Sequence, residues 1–310
     1  MTGSSATESW PRLPLGEWND TYETLHRWLQ IVGKTRMAYT PLINHWWNVT
    51  LYVTPRGLTT STIYKDGIAF GVEFDFIDHH LAIRTSEGQN AEISLRAMSV
   101  ADFYKRYLDA MKSVGLEISI HGAPNEVTDA TPFAEDEKHR SYDPGQANRM
   151  WRVLLSSHRV LSEYRAQFMG KSSPVHLFWG SFDLSVTRFS GPKTKQAPSG
   201  GAPNVPQQVM DEAYSHEEMT AGFWPGAQGR FEEPIFFAYI YPAPEGIDKA
   251  RIKPAAARFD STLGEFILPY EAVRTSSSPD EMLMEFLKSS YEVSADLAKW
   301  DRASLERQKP

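Results

Sequence analysis

The stretch GKSSPVHLFWGSFDLSVTRFSG, residues 170–191, decides how we expect this chain to fold. Its apolar, β-branched and aromatic residues, among them Leu184 and Val186, are typical of a strand, and glycines stand at both ends of the stretch. His176 and Asp183 lie in the same stretch. A strand that helps to build the core is therefore expected to carry side chains capable of chemistry as well.

A second stretch, residues 45–54, repeats this pattern more faintly. Four positions agree at one constant offset: Trp46, Leu51, Val53 and Thr54 with Trp179, Leu184, Val186 and Thr187. In each half a helix pattern precedes the aromatic strand, alternating strands follow it, and a capped helix comes last. The pattern predicts an α+β fold of antiparallel sheets flanked by helices in two similar halves. Either an internal duplication or a chance match explains the shared positions.

The order of the patterns divides the chain into segments. Residues 1–17 are predicted to form an N-terminal arm and residues 18–120 the first α+β half. Residues 121–142 are polar and contain five acidic residues, so we expect a linker there, and residues 143–310 form the second half. Residues 190–232 of that half are rich in Pro, Gly and Ser. So long a connection favours an insertion that is a lid, a binding loop or a disordered segment.

The composition excludes several classes of function. The chain of 310 residues has a net charge of −7 and contains no cysteine. Without cysteine there is no disulfide, thiol catalysis or iron–sulfur cluster, and a metal would need His, Asp or Glu ligands. No apolar run reaches the roughly 18 residues of a membrane span. The modest negative charge gives no reason to expect nucleic acid or an anionic membrane as a partner.

Further patterns that would identify a compartment or a cofactor are missing. The first residues show no basic region followed by an apolar run, so we expect a cytoplasmic protein without a secretory signal. Neither Gly-x-Gly-x-x-Gly nor a P-loop occurs, and no pattern indicates haem, so neither a nucleotide nor a haem cofactor is expected. No Gly-x-Ser-x-Gly elbow supports a serine nucleophile.

Two histidines and two carboxylates form the first candidate constellation. His176 and His216 are expected to act as acid/base groups, and Asp183 and Glu217 are expected to orient them. Two imidazoles with a carboxylate also suit a divalent metal with open positions, so His176, His216 and Glu217 are candidate metal ligands. The alternative is a histidine that hydrogen-bonds a loop near surface carboxylates.

Two arginines form the second constellation. Arg56 and Arg188 follow the ends of the two aromatic strand patterns, and a duplicated fold brings both to one edge of a cleft. Two guanidinium groups there suit a carboxylate or a phosphate. The alternative is a pair of surface arginines bonded to nearby acids such as Glu73 or Asp75.

Aromatic residues cluster on the two strands and in the insertion, where they suit the wall of a pocket for a flat or apolar ligand. Core packing is the alternative for those on the strands, because aromatic side chains bury large areas. Phe223 and Trp224 stand in a loop flanked by glycines, which favours a lid or a pocket wall. The side chains expected to bind substrate are His45, Trp46, Arg56, Trp179, Arg188, Tyr214 and Trp224.

Several longer strings resemble one known family. They are WPRLPL at 10–15, QIVGK at 30–34, NHWW at 44–47, LYVT at 51–54, RGLTT at 56–60, SPVH and the residues after it at 173–191, EAYSHE at 212–217, GFWPG at 222–226 and LAKWD at 297–301. In this order they resemble an uncharacterised bacterial family known only as a domain of unknown function, family 5996. Leu177 stands where the family pattern usually has Phe. The resemblance implies one full-length unit of bacterial type, and it implies no activity, cofactor or catalytic residue.

These patterns together favour a cytoplasmic small-molecule enzyme with a His/carboxylate site between the two halves, under the insertion at 190–232. Its substrate would be an anionic or aromatic metabolite, with or without a divalent metal. One alternative is a non-catalytic module that binds a small ligand. The other is an interaction module that docks a partner chain through the insertion. Oligomeric state and reaction type do not follow from the sequence, and whether the protein is an enzyme stays open.

Overall fold

The computed structural model describes residues 8–198, 202–229 and 231–307. The helices are α1 Leu15–Tyr39, α2 Val100–Ser113, α3 Pro144–Ala166, α4 Gln207–Ala213, α5 Tyr270–Arg274, α6 Pro279–Leu297 and α7 Arg302–Leu305. The strands of the first half are β1 Tyr52–Val53, β2 Gly57–Thr59, β3 Ile63–Lys65, β4 Ile68–Asp75, β5 His80–Thr85 and β6 Asn90–Ser94. Those of the second half are β7 His176–Phe178, β8 Asp183–Lys193, β9 His216–Trp224, β10 Ile235–Tyr241, β11 Arg258–Asp260 and β12 Glu265–Pro269. Short 3₁₀ turns lie at Asn44–Trp46, Phe133–Glu135 and Ile247–Lys249.

The starts of two helices follow from their capping residues. The side chain of Ser99 accepts a hydrogen bond from the backbone N–H of Asp102 at 3.1 Å, which satisfies a free donor in the first turn of α2. Asp143 does the same for Gln146 at 2.8 Å, and proline occupies the first position of α3. Both starts are the ones that the sequence predicts.

The first helix is longer at both ends than the sequence predicts. The string Asp20-Thr-Tyr-Glu23 has the pattern of a capping box, and Gly33 followed by Lys34 has the pattern of a helix end. The helix instead begins at Leu15 and continues through Gly33 to Tyr39. Gly33 is therefore not a helix stop. A side chain at this position would overlap the indole ring of Trp179, so the glycine allows α1 to lie close against the second half.

Both sheets are antiparallel, which confirms the α+β class. The first has the order β1-β2-β4-β5-β6, with β3 also paired to β4, and the second has the order β11-β12-β10-β9-β8-β7. Leu51 and Leu177 exchange two backbone hydrogen bonds of 2.9 and 2.8 Å, so β1 and β7 meet edge to edge. Leu177 also pairs with Leu184 on its other side. The two six-stranded sheets suggest two similar halves, and an internal duplication stays a prediction.

The two faces of the second sheet differ in polarity because successive strand residues point to opposite sides. One face packs into the core against α3 and α6 and carries buried apolar residues: Leu184, Val186, Met219, Ala221, Phe223, Phe236 and Ala238. The other face, which we call the polar face, carries Asp183, Ser185, Thr187, Glu218, Thr220, Phe237 and Tyr239. The polar face is the part of the fold that positions the candidate site.

The predicted insertion at residues 190–232 is largely part of the sheet. It contains the end of β8, helix α4 and all of β9, and β9 lies between β8 and β10. Phe223, expected in a lid or a pocket wall, is fully buried in the core. That expectation of a loop was wrong because polar and apolar residues alternate from Glu218 to Ala221, which is the period of a strand, and the strand continues to Trp224. Residues 199–201 and 230 lie outside the described part of the insertion.

The acidic stretch at residues 121–142 packs against helices. Asp136 and His139 are buried; the imidazole Nδ1 lies 2.8 Å from the carboxylate, and Arg27 of α1 lies 3.3 Å from it. The backbone carbonyls of the same two residues accept hydrogen bonds from the first N–H groups of α2, at Val100 and Ala101. The carboxylate of Asp136 thus contributes to folding. His139 is buried, although the polar composition around it predicts a solvated side chain. Among the described residues, no helix combines the length and apolar character that crossing a bilayer requires.

Candidate functional site

A cleft of about 2020 Å³ lies over the polar face of the second sheet. Its other walls come from α1, from the turn at Asn44–Trp46, from α4, and from the backbone segments 121–130 and 202–206. This volume exceeds the roughly 300–1,000 Å³ of a typical small-molecule site. The cleft therefore has room for an organic molecule of metabolite size together with solvent.

Hydroxyl groups form a row across the floor of the cleft. Strand register places Thr187 beside Thr220, and Thr220 beside Tyr239. The hydroxyl oxygens of the two threonines are 2.8 Å apart, within hydrogen-bond distance. The hydroxyl of Tyr239 lies 3.2 Å from that of Tyr214, which follows α4. The row thus extends from β8 to the wall of the cleft and offers both donors and acceptors to a ligand.

Gly222 makes room for the ring of Phe237 on the floor of the cleft. A Cβ atom at this position would lie 2.9 Å from the Phe237 ring and 2.9 Å from the Cβ of Ser185, and it would also overlap a backbone carbonyl. Only glycine leaves room for the phenyl ring to lie across the strand here.

Glu218 is the carboxylate that the cleft buries most completely. It lies on β9, only 5% of its surface is exposed, and it lines the cleft. No hydrogen bond to its carboxylate is found within the described residues, and the charge that acts on it is that of Lys171. Burial raises the pKa of Glu218 to about 8, although the charge of Lys171 opposes the shift. A carboxyl group with this pKa can donate or accept a proton near neutral pH.

Asp183 is the second carboxylate on the floor. It is half-buried at the start of β8 and accepts a hydrogen bond from the Ser181 hydroxyl. Burial raises the pKa of Asp183, and hydrogen bonds from Ser181 and Ser185 oppose the rise. Both floor carboxyls are therefore held toward their neutral forms, by the same physical cause.

One known family matches the chain over most of its length. The model of a Family of unknown function (DUF5996) matches residues 10–307. The chain belongs to this family. No curated protein and no solved structure was found to match it. The description of DUF5996 names no activity, so the geometry of the cleft is the basis for any chemistry assigned to the chain.

His176, the central residue of the sequence hypothesis, does not line the cleft. It is fully buried on β7, and its Nδ1 lies 3.2 Å from the hydroxyl oxygen of Thr50. Burial, together with the smaller effects of the charges of Arg36 and Arg165, lowers the pKa of His176 to about 3. A neutral imidazole without access to solvent is not placed to exchange protons with a substrate.

His216 and Glu217 stand at the beginning of β9, away from His176. The ring of His216 lies 5.6 Å from that of His45, and its Nδ1 is 3.1 Å from the hydroxyl of Ser215. Glu217 accepts a hydrogen bond from the Ser190 hydroxyl at 2.7 Å. Within the described ranges no three His, Asp or Glu side chains are close enough to hold a metal ion. The expected ligand set of His176, His216 and Glu217 is therefore not assembled.

Strand alternation explains why sequence reasoning selected Glu217 and missed Glu218. Neighbouring strand residues point to opposite faces, so only one of the two glutamates can reach the polar face. Counting back in steps of two from Trp224, which lines the cleft, leads through Gly222 and Thr220 to Glu218. That signal was present in the sequence, but it requires β9 to be recognised as a strand.

The two arginines are not brought to a common edge, and neither lines the cleft. Arg56 is exposed and pairs with Asp75 and, at 2.5 Å, with Asp78. Arg188 points to the opposite side of the sheet, where its guanidinium lies 3.4 Å from the centroid of the Tyr164 ring and donates to the backbone carbonyl of the same residue. The expected pair of guanidinium groups for an anionic substrate is thus absent from this cleft, as far as the described residues show.

The other expected binding residues do line the cleft: His45, Trp46, Trp179, Tyr214 and Trp224. The indole N–H of Trp179 donates to the carbonyl of Val49 at 2.7 Å, which fixes one wall. The indole N–H of Trp224 donates to the carbonyl of Ser181 at 3.1 Å, which fixes another. The aromatic residues therefore combine core packing with a wall of the cleft.

His45 is held in an unusual backbone conformation. Both His45 and Trp46 have positive φ angles, 59° and 60°, which non-glycine residues adopt at an energetic cost. The Nδ1 of His45 lies 2.9 Å from the carbonyl of Ala213, and its Nε2 lies 2.7 Å from the ammonium of Lys171. The carbonyl requires a proton on Nδ1, so Nε2 accepts from the lysine and the ring is neutral. Burial lowers the pKa of His45, which is consistent with this form.

Proposed function

We propose that this protein is a cytoplasmic enzyme that acts on a small organic molecule in the cleft, with Glu218 as its acid–base group. The observation that supports the proposal is a buried carboxylate that lines the cleft and has no hydrogen-bond partner among the described residues. Proton transfer is most efficient when the pKa of the catalytic group lies near the working pH, and burial brings Glu218 into that range.

The surrounding side chains suit the binding of a partly apolar substrate. The hydroxyl row of Thr187, Thr220 and Tyr239 can orient polar groups of the substrate on the floor. Asp183 lines the cleft from the same face of β8 as Thr187 and can hold a second polar group. Trp46 and Trp224 provide flat apolar walls, which favours a substrate with a ring or a hydrocarbon portion.

Turnover of metabolites by two matched variants tests the proposal. Purified protein is incubated with a mixture of metabolites, and mass spectrometry identifies any compound that is consumed. We expect Glu218→Gln to reduce the rate of its consumption at least about 100-fold, the usual contribution of a general acid or base. Glu217→Gln serves as the control, because Glu217 lies on the same strand, outside the cleft.

The proposal fails if both variants consume the compound at the wild-type rate. Equal and large losses in both variants would also contradict it, because the effect would then come from β9 as a whole.

A second candidate is a non-catalytic module that binds a small ligand. Two of the histidines that line the cleft support it, because their rings are already engaged with backbone carbonyls. His26 lies 2.9 Å from the carbonyls of Trp179 and Gly180, and His45 bonds that of Ala213. Recovery of one compound, bound and chemically unchanged after long incubation, would favour this module over the enzyme.

A further inference from the structure

We propose that the natural ligand of the cleft is an organic cation whose ammonium group pairs with Glu218 between aromatic rings. The inference rests on the proposed use of the cleft and adds the chemical class of the molecule that enters it. It is carried by three observations on the polar face: an unpartnered buried carboxylate, the absence of a protein cation beside it, and the rings that surround it.

The first observation is the isolation of the Glu218 carboxylate. Burial of a carboxylate without a partner is costly, so buried acids in proteins are normally paired or hydrogen-bonded. Glu218 is 5% exposed and lines the cleft, yet no hydrogen bond reaches it from any described residue. The empty site reduces this cost by holding the acid protonated, and a cationic group of the ligand would supply the partner that the ionised form lacks.

The second observation concerns the charged and titratable groups that face Glu218. Lys171 is the one cation that acts on it, and its ammonium lies 2.7 Å from His45 and 4.6 Å from the Phe189 ring, without a hydrogen bond to the carboxylate. Tyr214 and Tyr239 also face it, and burial raises the pKa of both, so they are neutral at physiological pH. The carboxylate therefore lacks a direct counter-charge from any of these groups.

Of the other cations that line the cleft, Lys138 and Arg140 are exposed, and the two buried ones are already bound elsewhere. The ammonium of Lys34 donates to the side-chain oxygen of Asn125 and lies 5.3 Å from the centroid of the Trp179 ring. Arg27 pairs with Glu23 and Asp136. These two basic groups thus do not compete for a cation site at Glu218.

The third observation is the ring of aromatic groups around the carboxylate. Strand register places Phe189 and Tyr241 directly beside Glu218 on the polar face. The ring of Tyr214 has its centroid 5.1 Å from that of Tyr241 and 6.4 Å from that of Tyr239. Faces of aromatic rings attract ammonium groups, and the attraction grows when water is excluded. A carboxylate flanked by such rings recognises a cationic amine in preference to an anion, for which the expected arginines lie outside the cleft.

Three indole compounds with different end groups test the assignment by isothermal titration calorimetry: tryptamine, tryptophol and indole-3-propionate. They share one ring and differ in carrying an ammonium, a hydroxyl or a carboxylate. We expect tryptamine to bind at least about tenfold more tightly than the other two, since a paired charge contributes more than a neutral hydrogen bond.

The pH dependence provides a readout that needs no variant. The ammonium pairs with ionised Glu218, whereas the empty site holds the acid in its protonated form below pH 8. Binding of tryptamine at pH 6.5 should therefore release about one proton, measured with buffers of different ionisation enthalpy, and its affinity should rise roughly 15-fold toward pH 8. Tryptophol should release none.

The variants Glu218→Gln and Glu217→Gln complete the test. We expect Glu218→Gln to lower the affinity for tryptamine to that for tryptophol and to abolish proton release, and we expect Glu217→Gln to retain both properties. Equal or tighter binding of tryptophol or indole-3-propionate by the wild-type protein would overturn the assignment of a cation but leave ligand binding in the cleft intact. Failure of all three compounds to bind at 10 mM (about 3 kcal/mol) would count against both.

Discussion

The two sheets use the same alternation of polar and apolar residues and reach opposite chemical results. On the first sheet most of the polar face is open to solvent, and the exposed side chain of Arg84 forms an ion pair at 3.4 Å with the half-buried Glu73. On the second sheet helices and backbone segments cover the polar face, and Glu218 is buried beneath them. The comparison shows that the elements packed over a strand, more than the residues on the strand, decide whether a carboxylate is buried and its pKa is raised.

The largest expected difference between the sheets is in the effect of pH on stability. The folded protein holds Glu218 protonated up to pH about 8, whereas the unfolded chain releases this proton near its ordinary pKa of 4.5. The free energy of unfolding therefore falls as pH rises between these values. Denaturant unfolding should show Glu218→Gln gaining about 3 kcal/mol relative to wild type between pH 5 and pH 8. Glu73→Gln on the first sheet, the control, should gain less than about 0.5 kcal/mol over that interval. If the free energy of unfolding of Glu218→Gln differed from that of the wild type by the same amount at every pH, the carboxylate would be solvated.

The second largest effect on stability is expected when a glycine of the sheet is replaced by alanine. Gly222→Ala on the covered face should destabilise the protein by about 2 kcal/mol, because the new Cβ meets Phe237 and Ser185 at 2.9 Å. Gly71→Ala on β4 is the matched change in the first sheet, where the nearest atom, a carbonyl oxygen of Ser61, is 3.4 Å away. Thermal unfolding should separate the two variants clearly. Similar losses in both would show that the second sheet is no more tightly covered than the first.

A smaller effect is expected from the hydroxyl row. Thr220→Val keeps the shape of the side chain and leaves the hydroxyl of Thr187 without its partner at 2.8 Å. The free energy of unfolding should decrease by about 1 kcal/mol, the usual net contribution of such a bond. Chemical denaturation measures it, with Thr220→Ser as the control that restores the hydroxyl. A valine variant as stable as wild type would indicate that water already bonds both groups.

The smallest effect is expected on the solvent side of the first sheet. Arg84→Ala removes the exposed ion pair with Glu73 and should change the free energy of unfolding by less than about 0.5 kcal/mol. The remaining effect should vanish in 1 M salt, where charges are screened. A loss above 1 kcal/mol that persists in salt would mean that the guanidinium packs against the sheet and that the two polar faces differ less than we infer.

Local signals determined what the sequence could predict. The caps at Ser99 and Asp143 depend on residues three positions away, and both helices begin where the pattern places them. The alternation of strands 68–76 and 81–85 likewise identifies part of the first sheet, because each strand buries one face. Family membership was also visible in strings spread along most of the chain.

Non-local packing determined what the sequence could not predict. Gly33 looks like a helix stop until Trp179, far along the chain, is seen to lie against it. His176 looks reactive until β7 is placed inside the molecule, where burial keeps the imidazole neutral. Within the candidate site the aromatic walls were predicted, whereas Glu218 could be selected only after β9 is recognised as a strand, because alternation then places it on the face of Trp224.

The pair of backbone bonds between Leu51 and Leu177 has a consequence for how the protein behaves in solution. A strand at the edge of a sheet can recruit a strand from another molecule, which leads to aggregation. Here β1 and β7 protect each other, so a fragment containing residues 143–310 alone would present the edge of β7 unprotected. We expect such a fragment to self-associate, and the chain to be divisible in evolution or in the laboratory only where this edge is covered again.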